Sequence, residues 1–233
     1  MFKLKQVDIG YKKALVHIPE LHIEKGKLYA LLGKNGSGKT TFLQTLMGNI
    51  SPLSGEYLIE DKKIENLSKR EKMRYLSYVP SKFYGVEHLS VRELIGMGRA
   101  PFTNVLGRIS QRDNDKIDEI LALLKIEHLQ CLSTQKISDG ERQIAMIGKA
   151  LAQEARAIIL DEPTAFLDYS NRLKTIQILQ EVVAKKGVTV LFSTHNLDLS
   201  LNYADVIATI NKSQKFEVFL SSVDKEEIIE KVY

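Results

Sequence analysis

A single cysteine, Cys131, stands in the 233 residues. That excludes an internal disulfide and leaves a buried or indifferent thiol as its expected role. No apolar run is long enough to cross a bilayer. The opening Met1-Phe2-Lys3-Leu4-Lys5 has no signal-peptide apolar core. With the lone thiol, this fits a reducing cytoplasm. Charge of one sign is scarce as well. The net charge of +4 is small for the length and no dense basic tract occurs, so nucleic acid is not an expected partner. There is no internal repeat and no low-complexity segment. What remains is ordinary for a soluble globular protein, with 44% hydrophobic and 27% charged residues. The chain is long enough for one large domain or two lobes around a substantial core.

What the chain does carry is Gly33-Lys34-Asn35-Gly36-Ser37-Gly38-Lys39-Thr40, which matches the phosphate-loop pattern G-x-x-x-x-G-K-[ST] at each fixed position. The apolar run Leu28–Leu32 before it reads as a buried strand. After it, Thr41 leads into apolar residues at Phe42, Leu43, Leu46 and Met47, one stripe of a helix that Gly48 can end. A triphosphate carries dense negative charge. Glycines let backbone N–H groups close around it, and the helix N-terminus adds a positive end. Lys39 can reach the β- and γ-phosphates, and Thr40 can offer its hydroxyl to Mg²⁺.

Around this loop, Phe2–Lys5 and Val7–Ile9 alternate apolar and polar residues, as do Leu21–Glu24 and Glu56–Ile59. These read as an antiparallel layer, with Glu60–Lys63 a polar turn. Between about Ser81 and Ala152 strand signals are few. Ser90 and Glu93 form a capping box, Ser110 opens a helix, and Ile117, Ile120, Leu121 and Leu124 share one face. Strand and helix patterns then alternate again: Ala157–Leu160, a stripe of Leu173, Ile176, Leu179 and Val183, Val188–Phe192, Ala204–Ile210, Phe216–Leu220, and a closing helix over Asp224–Val232.

Asp161-Glu162 ends the apolar run Ala157–Leu160. Two carboxylates at the end of a buried strand need a cation or a reaction. Asp161 can help hold Mg²⁺, and Glu162 can orient a water aimed at the γ-phosphate or accept its proton. Ile137-Ser138-Asp139-Gly140-Glu141-Arg142-Gln143 opens a further helix in which Ser138 and Glu141 have capping-box spacing. Its hydroxyl, glycine N–H and helix N-terminus also make a second anion site. One phosphate loop with a separate anion-binding helix invites a site shared by two chains. His195, after the strand Val188–Phe192, can face the γ-phosphate.

With these motifs in order, nearly the whole chain resembles the ATP-binding subunit of an ABC transporter. Walker A is Gly33–Thr40, Walker B is Ile158–Glu162, the signature segment is Ile137–Gln143, the D-loop is Ala165-Phe166-Leu167-Asp168, and the switch histidine is His195. The expected fold is α/β: a P-loop NTPase core with a mostly parallel sheet, an antiparallel β layer and an inserted α-helical lobe. It is expected as a single domain, with 1–80 and 153–233 forming the core and 81–152 the lobe. The resemblance implies ATP held by Tyr11, stacking on adenine, and by Gly33, Lys34, Asn35, Gly36, Ser37, Gly38, Lys39, Thr40 and Thr41. Ser138, Gly140, Glu141 and Asp168 join across a head-to-tail homodimer. Thr40 and Asp161 hold Mg²⁺, and Glu162, His195 and Lys39 carry catalysis. The implied partners are integral membrane permease subunits and, indirectly, a solute-binding protein, at the cytoplasmic face of the inner membrane.

Two positions depart from the family pattern. Ser81 stands where Gln is usual and is too short for the same reach to Mg²⁺, which predicts weaker metal contact or a water in the gap. Asp139 replaces a glycine of the signature, whose function is expected to persist. Gly98-Arg99-Ala100-Pro101-Phe102, after Ser90-Val91-Arg92-Glu93, resembles the G-R-x-P-H region of importer ATPases for iron-siderophore, haem and vitamin B12 uptake, with Phe102 in place of His. The alternatives are an ATPase of another ABC importer or exporter, a non-transport ABC protein, or a regulatory nucleotide-binding module with little hydrolysis.

Overall fold

A computed structural model describes residues 1–103, 107–211, 213–220 and 225–232. In chain order the elements are β1 (Phe2–Gly10), β2 (Ala14–Ile23), β3 (Leu28–Leu32), α1 (Lys39–Leu46), β4 (Ser54–Ile59), β5 (Lys62–Lys63), α2 (Lys69–Tyr75) and β6 (Leu76–Val79). There follow α3 (Val91–Gly96), α4 (Gln111–Leu124), α5 (Asp139–Ala152), β7 (Ala157–Leu160), α6 (Tyr169–Lys186), β8 (Thr189–Thr194), α7 (Leu197–Tyr203), β9 (Val206–Ile210), β10 (Phe216–Leu220) and α8 (Lys225–Val232).

The strands form two sheets. The four-stranded sheet has the order β2-β1-β4-β5, with antiparallel pairing throughout. The six-stranded sheet has the order β10-β9-β3-β8-β7-β6, and only β10 runs against its neighbour. Strands β3, β7, β8 and β9 are buried along their whole length. Their unbroken apolar runs require this, since both faces of a parallel sheet must be covered. Alternate residues separate into two cores. Leu28, Ala30, Leu160 and Phe192 pack with α3–α6, whereas Tyr29, Leu31, Ile159 and Leu191 pack with α1 and the four-stranded sheet. Helix α1 thus lies between the sheets, its Phe42 ring stacked on Phe216 at 5.6 Å.

The break in the β1 alternation has a structural cause. Phe2 and Leu4 face the core, then Val7 and Ile9, one position out of step. Gln6 takes φ +50° and the register against β4 slips between Lys5 and Asp8, which marks a β-bulge. Gly55 opposite has φ +87°, and a Cβ there would lie 2.1 Å from the Gln6 carbonyl oxygen.

Several boundaries differ from expectation. Strand β2 begins at Ala14 rather than Leu21. Pro19 fits because β2 is an edge strand. The expected polar turn Glu60–Lys63 holds the short β5. Strand β8 runs on to Thr194, and β9 starts at Val206. The expected closing helix is present from Lys225, while Asp224 lies outside the described residues. The expected capping boxes are formed at Ser90–Glu93 and Ser138–Glu141, and Ser110 caps α4 through Asp113.

Candidate active site

The phosphate loop joins β3 to α1. Gly33 N–H donates to the Thr194 carbonyl at 3.2 Å, tying the loop to the end of β8. A Cβ at Gly33 would meet Ser37 Oγ at 2.6 Å. Gly38 has φ +107° and precedes α1 with no side-chain cap, so the first N–H groups of the helix remain available to an anion. Lys39 is buried. Its Nζ donates to the Gly33 and Lys34 carbonyls at 2.9 and 3.2 Å and pairs with Glu162 Oε1 at 3.1 Å.

The carboxylates arrive on β7, beside β8. Asp161 Oδ2 accepts from Thr40 Oγ1 at 3.1 Å, and Oδ1 accepts from Ser193 Oγ at 2.7 Å. Ser193 Oγ also accepts from Glu162 N–H at 2.8 Å. Glu162 holds φ +42°, a left-handed conformation that only the surrounding bonds sustain in a non-glycine residue. His195 Nδ1 lies 3.6 Å from Glu162 Oε2. On the other side of β7, burial and then the Asp161 charge push the Tyr78 phenol up to about 12.

Beside these residues lies a cavity of about 410 Å³ lined by Leu15, Asn35, Gly36, Gly38, Lys39, Thr40, Thr41 and Glu162. The residues present fit a nucleotide triphosphate with a hard cation. Ser37 Oγ is buried and has no hydrogen-bond partner, as expected of a group kept for a ligand. The Thr40 hydroxyl and Asp161 carboxylate are the oxygen donors that Mg²⁺ accepts. No group of three or more His, Cys, Asp or Glu that could hold a metal ion occurs among the described residues.

A family model described as ABC transporter matches residues 16–165, more than half of the chain. The chain belongs to the ABC transporter family. The probable siderophore transport system ATP-binding protein YusV of Bacillus subtilis is 33% identical over 88% of this chain and 74% of its own length. The ferric enterobactin transport ATP-binding protein FepC of Escherichia coli is 29% identical over 98% of this chain and 85% of its own. Among solved structures, a chain of a metal-chelate type ABC transporter in an inward-facing conformation superposes with a TM-score of 0.83 at 26% identity, over 94% of this chain and 83% of that one.

The remaining ABC motifs sit apart from the phosphate cavity. At the start of α5, the Ser138 hydroxyl accepts from Glu141 N–H at 3.3 Å. The Glu141 carboxylate accepts from Ser138 N–H at 2.8 Å, and Ser138 holds that carboxyl below its usual range. The D-loop packs beside it. Asp168 caps α6 through Asn171 N–H at 2.8 Å, and a Cβ at Gly140 would meet the Asn171 side chain at 2.8 Å. Ser81 lines a separate cavity of about 260 Å³ with Asp139, Gln143 and Phe166. Tyr11 is 73% exposed, just beyond β1. Thus Lys39, Thr40, Asp161, Glu162 and His195 come together through direct contacts, with Lys39, Thr40 and Glu162 lining the phosphate cavity, whereas Ser138, Gly140, Glu141, Asp168, Ser81 and Tyr11 do not line it.

Sequence reasoning gave no role to Leu15, Ser193 or Tyr78. Ser193 follows Phe192, which pairs with Leu160, so a polar residue near the end of a buried strand was its only local signal. Leu15 sits in the part of β2 that the alternation did not reveal.

Proposed function

We propose that the chain is the ATP-hydrolysing subunit of an importer for iron-chelate solutes. Two copies pair head to tail, against permease subunits at the cytoplasmic face of the membrane. The ATPase family supports hydrolysis, and the siderophore names of the relatives support the solute class. The observation that carries the dimer is the separation of the motifs: the phosphate cradle is complete without Ser138, Gly140 and Glu141, whose helix end has no phosphate of its own chain to meet. Lys39, released from the Gly33 and Lys34 carbonyls, pairs with the β- and γ-phosphates. Glu162 orients the attacking water and takes its proton, and His195 stands beside Glu162 at the γ-phosphate. Tyr11 stacks on adenine. The Ser138 hydroxyl and Gly140 N–H of the second copy close on the γ-phosphate, and Asp168 sets the D-loop between the copies. Thr40 and Asp161 would hold Mg²⁺, which would supply positive charge to neutralise the phosphates. Residues 81–152 form the lobe that transmits closure to the permease. A solute-binding protein delivers the cargo outside.

The test is the mass of the Glu162→Gln protein by light scattering with saturating ATP and Mg²⁺, alone and with its permease. A dimer that dissociates on nucleotide removal is expected. A protein monomeric in both settings overturns the shared-site reading. Uptake of a ferric siderophore into vesicles bearing the assembled transporter tests the solute class.

A further inference from the structure

The first turn of α5 carries the charged side chains Asp139, Glu141 and Arg142. Glu141 is taken up by Ser138, whose N–H and hydroxyl donate to its Oε2 at 2.8 and 2.7 Å. Asp139 lies between Ser138 and Gly140, and its side chain is 67% exposed. An uncompensated carboxylate there would repel a phosphate arriving at the helix end. Arg142 supplies the compensation. Its Nη1 pairs with Asp139 Oδ1, while Nε donates to the Thr134 carbonyl and Nη2 to the Ile137 carbonyl, both at 2.8 Å. The Arg142 side chain is only 15% exposed, so these bonds hold the guanidinium in one orientation. Thr134 is fully buried and anchored in its turn. Its N–H donates to the Leu89 carbonyl at 2.8 Å and its hydroxyl to the Val86 carbonyl at 3.1 Å. Arg142 therefore holds the Asp139 carboxylate against a tied-down segment.

The helix itself needs none of this. Ser138 and Glu141 cap its end, and an acid in the first turn favours a helix without a cation beside it. A cation in that turn opposes the helix dipole. We propose that Arg142 is a positioning residue of the site shared with a second copy: it fixes and cancels the Asp139 charge, so that a nucleotide phosphate held by that copy can approach Ser138 and Gly140. The inference rests on the reading of the α5 start as half of a shared nucleotide site.

The test is the dimer dissociation constant of the Glu162→Gln protein with ATP and Mg²⁺, read by sedimentation. It is measured on that parent, with Arg142→Met, with Asp139→Gly and with both. Arg142→Met should weaken the dimer by about tenfold, the effect of one uncancelled charge near a surface, with fluorescent-ATP binding by the monomer unchanged. Adding Asp139→Gly should restore most of the loss. Asp139→Gly alone should pair at least as tightly as the parent. A merely structural role for Arg142 predicts no such rescue, because the glycine removes a helix-favouring acid and adds backbone freedom. No loss in Arg142→Met, or a loss that Asp139→Gly fails to restore, overturns the proposal and leaves the shared site standing. A parent that stays monomeric, alone and with its permease, overturns the shared site and the proposal with it. Should Arg142→Met not melt cooperatively, Arg142→Gln takes its place in the same comparison, with the same overturning results.

Discussion

At the phosphate cradle, residues from distant parts of the chain converge: Thr40 bonds Asp161 across 121 positions, and Ser193 bonds both Asp161 and the Glu162 backbone. At the start of α5, Ser138 and Glu141 satisfy each other across three residues. The cradle is a product of the whole fold and exists only when β3, β7 and β8 lie side by side. The α5 turn is a product of local geometry and can be carried as a rigid piece. A surface that must be offered to a second molecule is well served by local construction, because it keeps its shape while the helix that bears it moves.

The largest expected effect falls on the cradle. Glu162→Gln should lower ATP turnover by about a thousandfold, within the range for loss of a general base, while binding of ATP persists in a fluorescent-nucleotide assay. Turnover at the wild-type rate would remove Glu162 from the reaction and break the contrast.

Next comes the anchorage of α5 from behind. Arg99 is buried, donates to the Ala152 carbonyl at 2.8 Å just before the chain leaves α5, and pairs with Asp113 and Glu154 at 2.8 and 2.7 Å. Arg99→Met should cost about 3 kcal/mol in urea unfolding, since it strands a buried carboxylate. The Ser110 hydroxyl and backbone, and then Arg99, hold Asp113 at about 2. A folded-state value below the unfolded one stabilises above the usual Asp range, near about 4, and that contribution drains away as pH falls towards 2. Ser110→Ala should flatten this acid loss, read as the difference in unfolding midpoint between pH 5 and pH 3.

Smaller still is the cap itself. Ser138→Ala should cost about 1 kcal/mol of stability. If the turn serves a second copy, it should also reduce nucleotide-dependent dimerisation by more than the stability loss explains. Ser81→Gln should have the mildest effect, a few-fold fall in the Mg²⁺ needed for half-maximal turnover. An unchanged Mg²⁺ requirement and rate would show that a longer side chain at 81 finds no route from its own cavity to the cation.

The same contrast governs how much was legible in the sequence. The phosphate loop is spelled out in eight consecutive residues, and strands such as Ala157–Leu160 announce themselves because both faces are buried. Helix α2 went unread because none of its residues is buried, so no apolar stripe existed to find. In α7 only Leu199 and Ser200 are buried. Most of β2 was hidden by His17 and Pro19 between its inward residues Val16, Ile18 and Leu21. At the site, Ser193 acts sideways, through strands paired in register, and lateral neighbours leave no mark in a local pattern. The bulge at Gln6 was visible only as a stumble in alternation, whose cause lay opposite, in Gly55.

The backbone of Glu162 sits at φ +42°, where an L-residue costs about 1 kcal/mol relative to glycine. Replacing it by glycine would relieve that backbone cost but would leave the buried Lys39 ammonium without the carboxylate it pairs with. At this one position a strained backbone carries the very side chain whose charge the neighbouring lysine needs.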